Sequence, residues 1–444
     1  MTKTELPLAG ILPVTAAIDG EGHLVLGGCD AVQLAREFGT PLYVFDEETL
    51  RGQCRAFRDA FSSRYPESEV VYAAKAYLGR ALAGIIAQEG LGLDVVSGGE
   101  LYIARSVSFP PERIYFHGNN KSEEELGEAL DCGVGRVIID NLHEMRLLDG
   151  LAQARKVRQR VLLRLSPGID PHTHAYTTTG TLENKFGIPL PTGQAEAALR
   201  QALESPGLDV AGLHVHLGSP VFELDPYVQA VEIVMEFAAR MRRQYGFELR
   251  EFSPGGGFAA SYVPGQEAPG AEDYAETVVS TLRRACERQG LPLPRLFVEP
   301  GRAIVARAAV ALYTVGSSKD VPGVMRFVSV DGGMADNIRP ALYGSEYAAV
   351  VANRATDPRR EKVTISGRYC ESGDILLRDV ELPPLEPGDI LATPAAGAYS
   401  LAMASNYNAS LRPAVVLVKD GEAKLMRRRE AYEDLTRQDI WPLE

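Results

Sequence analysis

The sequence predicts an α/β protein, a (β/α)8 barrel followed by a mainly β C-terminal domain. Three observations carry this expectation. Between residues 66 and 302, a short β-branched run, a polar or glycine-rich tip and an amphipathic stretch recur eight times. The runs are apolar through their middles instead of alternating, as parallel strands covered on both faces are. From residue 309 onward, strands are separated by tight turns instead.

The eight runs are 69–75, 92–97, 113–118, 136–141, 161–167, 210–218, 249–255 and 295–301. Helix starts are signalled by Ser122 with Glu125 and by Asn141 with Glu144, both at capping-box spacing. Ala81, Leu82, Ile85 and Ile86 lay an apolar stripe that stops at Gly90. In the second domain the turns are Asp331-Gly332-Gly333, Pro387-Gly388-Asp389 and Lys419-Asp420-Gly421, the last joining 415–418 to 423–426. Near the N-terminus, His23-Leu24-Val25-Leu26 reads as a strand. The expected division is residues 1–35 pairing with the β domain, a barrel over 36–305, and a β domain over 306–444.

With 45% hydrophobic and 24% charged residues, the chain is too apolar for a disordered one. Its 46 Lys and Arg against 59 Asp and Glu give −13, which disfavours nucleic acid and anionic membrane as general partners. Five scattered cysteines (Cys29, Cys54, Cys132, Cys286, Cys370) form no C-x-x-C pair, which argues against disulfides and zinc and for a reducing cytoplasm. No metal site is expected. No apolar run is long and clean enough to span a bilayer. Lys121, Lys156 and Arg427-Arg428-Arg429 read as solvated faces.

In such a barrel, chemistry sits at the C-terminal tips of the strands. Those tips carry Lys75, Asp94, His117, Asn141, Arg164, His216, Gly255-Gly256-Gly257 and Glu299-Pro300-Gly301-Arg302. An amine emerging from the apolar run before Lys75 would be buried, which lowers a lysine's pKa and lets it form a Schiff base. Three glycines after the seventh strand could turn backbone N–H groups on a phosphate, with Ser219 adding a hydroxyl. Glu299 could keep a pyridine nitrogen protonated, and His216 could lie against the ring. Each feature has an ordinary structural explanation. Together they describe a site for pyridoxal 5′-phosphate.

Tyr72-Ala73-Ala74-Lys75-Ala76, Gly212-Leu213-His214-Val215-His216-Leu217-Gly218-Ser219 and Glu299-Pro300-Gly301-Arg302 resemble the pyridoxal-phosphate-dependent decarboxylases with an alanine-racemase-like barrel. Asn184-Lys185-Phe186-Gly187-Ile188, the run from Val330 through Asp331 and Arg339 to Tyr343, and Cys370-Glu371-Ser372-Gly373-Asp374 are similar to the diaminopimelate decarboxylases in particular. Gly397-Ala398-Tyr399 and Ser405-Asn406-Tyr407-Asn408 extend the match.

The resemblance implies a homodimer whose active sites are shared between subunits, acting on a small amino-acid substrate. Lys75 resembles the lysine that holds the cofactor, His216 the ring-stacking histidine and Glu299 the partner of the ring nitrogen. Ser219, Gly255, Gly256, Gly257, Pro300, Gly301 and Arg302 would hold phosphate and ring. Cys370 resembles a proton donor supplied by the other subunit. Arg302, Arg339, Tyr343 and Glu371 would read the far end of the substrate, and Tyr399 would touch both substrate and cofactor. The implied reaction turns meso-2,6-diaminopimelate into L-lysine and carbon dioxide, the last step of lysine biosynthesis.

That far end makes its own chemical sense. A second amino-acid centre needs a carboxylate reader, for which arginine offers a planar fork, and an ammonium partner. Tyr77, Ser166, Pro220 and Arg368-Tyr369 depart from the family pattern. The alternative reading is a decarboxylase of ornithine, arginine or a carboxylated polyamine precursor on the same fold.

Overall fold

A computed structural model describes residues 6–170, 179–180 and 183–442. The chain divides into two units. One comprises Gln53–Ala259 and Ala268–Ala303; the other comprises Met1–Gly52, Ala260–Glu267 and Ile304–Glu444.

The first unit is the barrel. Its strands are β1 (Ser68–Ala73), β2 (Gly92–Val95), β3 (Ile114–Phe116), β4 (Arg136–Ile139), β5 (Gln159–Ser166), β6 (Leu208–Val215), β7 (Glu251–Ser253) and β8 (Arg295–Val298). All pair in parallel in sequence order, and Leu296 of β8 returns to Ser68 of β1 to close the ring. The strands are shorter than the runs read from sequence, because the polar tips lie beyond the hydrogen-bonded ladder. Val71, Tyr115, Ile138, Leu162 and Phe297 fill the interior.

Arg136 and Glu251, the first residues of β4 and β7, make a buried bidentate pair at the N-terminal end, with contacts of 2.7 and 3.1 Å. The guanidinium also lies 5.2 Å from the ring of Tyr115 and 5.1 Å from that of Phe297. Such a buried charge is tolerated because it is paired and its planar face rests on aromatic surface.

Helix starts follow the sequence signals with one instructive departure. Ser122 and Glu125 form a complete capping box at the helix Glu123–Cys132. At Leu142–Ala154, Asn141 accepts from the Glu144 N–H, but the Glu144 side chain turns away to Lys121, 2.7 Å distant. Lys121 also donates to the carbonyls of Gly118 and Ile138, both at 2.8 Å. It is therefore a fully partnered buried cation, not the solvated residue expected. Arg428 and Lys156 are exposed, whereas Arg429 is half-buried and donates to Phe38 and Pro41 carbonyls.

The second unit is mainly β. Ala309–Val321 pairs antiparallel with Met325–Val330, Ile390–Thr393 and Leu42–Asp46. Ala414–Lys419 and Glu422–Arg427 form the hairpin expected at Asp420-Gly421. The N-terminal strands Ala17–Ile18, Leu24–Leu26 and Cys29–Asp30 make a small sheet of their own. Leu24 and Leu26 share a core with Leu42, Val310, Leu312 and Val416. The strand Leu42–Asp46, inside the span expected for the barrel, is instead a member of this β sheet, paired in parallel with Ala414–Lys419. All five cysteines are free thiols, and only Cys370 is exposed.

Asp336 is a closely held acid of this unit. It is buried and accepts from the Tyr313 hydroxyl at 2.7 Å, the Tyr43 hydroxyl at 3.2 Å and the Gly333 N–H at 2.8 Å. Burial outweighs these donors and raises its carboxyl from 3.8 to about 6. A folded value above the unfolded one means that the folded state holds the proton more tightly. The resulting stability is full below the ordinary carboxyl value and is lost as pH rises through about 6. That rise corresponds to roughly 3 kcal/mol. Urea unfolding of Asp336→Asn should therefore show a flatter stability profile between pH 4 and 7 than the parent; parallel profiles would contradict it.

Candidate active site

Titratable side chains gather at the C-terminal ends of the barrel strands. β1 stops at Ala73, whose N–H donates to the Pro300 carbonyl, and the chain enters a 3-10 turn, Ala74–Ala76. Lys75 is exposed in this turn between buried Ala74 and Ala76. The expectation of a buried amine at a strand end is thereby corrected: the strand ends two residues earlier, and Lys75 is exposed in the following turn while its charge still reaches buried His216 and Asp94. A Cβ on Gly301 would lie 3.0 Å from both the Ala73 Cβ and carbonyl oxygen, so only glycine lets the tip of β8 approach this turn.

Glu299 follows β8 and is buried. Its carboxylate takes the Ser253 hydroxyl at 2.8 Å and His214 Nε2 at 3.1 Å, and His117 Nε2 lies 3.7 Å away. Burial alone would raise its pKa, but His214, which also hydrogen-bonds the carboxylate, more than reverses this and holds it below the usual carboxylate range. Asp94 behaves oppositely. Burial, reinforced by the Glu299 charge, pushes its carboxyl well above the ordinary value. Two neighbouring carboxyls are thus driven apart, with Glu299 carrying the charge and Asp94 the proton. Burial also holds the imidazoles of His117 and His216 well below their ordinary value.

His216 is fixed by the Gly256 N–H, which donates to its Nδ1 at 3.2 Å. The Gly255 N–H donates to the Ser253 hydroxyl at 3.0 Å. Two of the three glycine amides therefore bind protein side chains instead of converging on an anion as the sequence suggested. The triplet meets another need: a Cβ on Gly256 would lie 2.0 Å from the Glu299 carbonyl oxygen. Gly257 sits at φ +101°, and Arg302 Nε donates to the Ser219 hydroxyl at 3.1 Å.

The remaining expected residues belong to the β unit. Arg339 opens the short helix Arg339–Tyr343 and is buried, while Tyr343 is half-buried. Cys370 and Glu371 are exposed on a braced loop. The Asp374 carboxylate takes the N–H groups of Met334 at 2.7 Å and Tyr369 at 2.8 Å, and the Cys370 N–H donates to Asn408 Oδ1 at 3.1 Å. Glu371 accepts from the Tyr407 hydroxyl at 2.6 Å. Tyr399 adopts φ +61°, a left-handed conformation unusual for an aromatic residue and typical of functional segments.

His214 and Ser253 were not singled out from sequence as site residues. The available signal was strand periodicity, which places His214 two positions before His216.

The barrel end fits a pyridoxal group. A buried anionic carboxylate suits the ring nitrogen, and Asp94 Oδ1 and His117 Nε2 have no hydrogen-bond partner among the described residues. Such orphaned buried atoms call for one.

Known proteins agree with this class. The family described as "Pyridoxal-dependent decarboxylase, pyridoxal binding domain" matches residues 47–306. Diaminopimelate decarboxylase of Bacillus subtilis is 45% identical over 96% of this chain and 97% of its own length. The crystal structure of the M. jannaschii diaminopimelate decarboxylase in co-complex with L-lysine superposes with TM-score 0.90 at 35% identity, covering 96% of this chain and 98% of that one. A lysine/ornithine decarboxylase from Vibrio vulnificus gives TM-score 0.75 at 22% identity, a likeness of fold alone. The chain belongs to the diaminopimelate decarboxylase family of pyridoxal-dependent decarboxylases. No helix among the described residues is long and apolar enough to cross a membrane.

The Glu299 environment makes a first test. Glu299→Gln keeps shape and removes the charge, losing about 1.5–3 kcal/mol of charge-assisted bonding. Titration with pyridoxal phosphate, followed by visible absorbance, should show affinity weakened at least about tenfold. Unchanged affinity would contradict the assignment of Glu299.

Proposed function

We propose that this chain is a pyridoxal-phosphate-dependent decarboxylase of meso-2,6-diaminopimelate, releasing carbon dioxide and L-lysine. One observation supports this substrate above its rivals. Arg339 is a buried guanidinium with no carboxylate partner among the described residues. A buried cation without an acid is costly unless an anion arrives. A distal carboxylate supplies that anion, whereas ornithine, arginine and the polyamine precursors bring a distal cation that Arg339 repels.

Pyridoxal phosphate, when bound, supplies an electron sink for the pair left behind as carbon dioxide departs. Lys75, exposed and next to the tip of β8, is the amine that holds it. Glu299 keeps negative charge in place for the ring nitrogen, and His216, locked by Gly256, provides a flat face. Ser219, Gly257 and the run Glu299, Pro300, Gly301 and Arg302 serve the phosphate end. Arg339 and Tyr343 read the distal carboxylate, Glu371 the distal ammonium, and Tyr399 adjoins them in role.

Cys370 gives a proton to the carbon that has lost carbon dioxide, and it does so in the partner's site of a homodimer. Its exposure on a loop braced by Asp374 supports this, since a rigidly held, outward thiol serves a neighbour better than its own chain.

Carbon dioxide release should be measured from meso-diaminopimelate beside ornithine, lysine and arginine. Strong preference for diaminopimelate is expected, and equal turnover of a monocarboxylate would sink the assignment. Mixing inactive Lys75→Ala and Cys370→Ala proteins should restore about a quarter of parental activity, because half the reassorted dimers carry one intact site of two. No recovery after verified subunit exchange would rule out sharing.

A further inference from the structure

Arg339 is held by two aromatic side chains. Its guanidinium carbon lies 4.4 Å from the ring centroid of Tyr262 and 5.4 Å from that of Tyr347. The two rings meet edge to face at 84°, with centroids 5.4 Å apart, so the guanidinium sits in a corner of phenol surface. All three side chains are buried. One guanidinium N–H donates to the Tyr347 hydroxyl, and the others have no acceptor among the described residues.

This corner explains how a lone buried cation persists. Ring faces offset part of the lost solvation, and the intrinsically high pKa of a guanidinium keeps Arg339 charged. It also fixes orientation. A guanidinium lying against a ring cannot rotate freely, so its remaining donors keep one plane. Bidentate recognition of a carboxylate needs that plane held in advance.

Tyr262 reaches this corner from an unexpected part of the chain. It lies in Ala260–Glu267, just after the glycine triplet in sequence, yet this segment belongs to the β unit. Its backbone is braced by the Gln266 side chain, which accepts the Tyr262 N–H at 2.9 Å.

We infer that Tyr262 and Tyr347 are positioning residues that hold Arg339 as a preformed carboxylate reader, and that they set the preference for substrates with a distal carboxylate. This rests on the reading of Arg339 proposed above. Neither tyrosine takes part in bond breaking; each acts through the guanidinium.

The test uses purified holoenzyme carrying Tyr262→Leu, Tyr347→Phe or Arg339→Ala. Tyr347→Phe removes one hydroxyl and keeps the ring, so it stands as the milder variant should Tyr262→Leu fold poorly. Both tyrosine variants should raise KM for meso-diaminopimelate about tenfold, with kcat changed less than about threefold. Inhibition by L-lysine, which retains a carboxylate, should weaken to a similar degree. Inhibition by cadaverine, which has none, should not move.

If lysine and cadaverine weaken together, the tyrosines act only on general packing and the inference is overturned. It is also overturned if Arg339→Ala raises KM while both tyrosine variants leave KM and lysine inhibition unaltered, an outcome that leaves the reading of Arg339 intact. If Arg339→Ala itself leaves KM unaltered, the carboxylate-reader assignment fails and the inference with it.

Discussion

An ionised carboxylate inside a closed barrel is the constraint around which the catalytic end is organised. Glu299 cannot carry its charge there without donors, and Ser253 and His214 provide them from β7 and β6. Ser253 in turn receives the Gly255 N–H, and the next amide, Gly256, orients His216. One buried charge therefore dictates the conformation of the glycine loop and the direction of the histidine ring. Its neighbour Asp94 is forced to keep a proton, because two adjacent buried carboxyls cannot both ionise.

The protein uses buried arginine in two contrasting ways. Arg136 and Arg339 each rest on two aromatic rings. Arg136 has its acid within the fold, Glu251, and closes the N-terminal end of the barrel. Arg339 has none among the described residues. The same aromatic packing thus surrounds one charge that is matched within the fold and one that is not. The difference lies in one carboxylate.

Much of this was legible beforehand. Buried parallel strands advertise themselves as β-branched runs, so all eight were readable, as was the Asp420-Gly421 hairpin. Their ends were not, because a polar tip in sequence does not say where the ladder stops; Lys75 was misjudged for this reason. Leu42–Asp46 has the same buried composition as a barrel strand, and only its pairing with Ala309–Val321 and Ala414–Lys419 assigns it elsewhere. Lys121 looked solvated because its partner Glu144 read as half of a capping box. The Tyr262, Arg339 and Tyr347 cluster joins residues far apart in the chain, and no local pattern encodes such a meeting. Motif resemblance supplied the candidate chemical groups, since it preserves identity where periodicity cannot.

The path of the backbone has a consequence for how such a protein can be taken apart or recombined. The chain passes between its units at 52–53, 259–260, 267–268 and 303–304. Neither half is a contiguous cassette. A cut near residue 305 would strip the barrel piece's eight-residue excursion, Ala260–Glu267, of the β unit it belongs to, and would leave the β piece without its central strand Leu42–Asp46. Chimeras between relatives at the apparent domain junction would inherit mismatched strands and an orphaned loop, so productive exchange has to respect these four passages together.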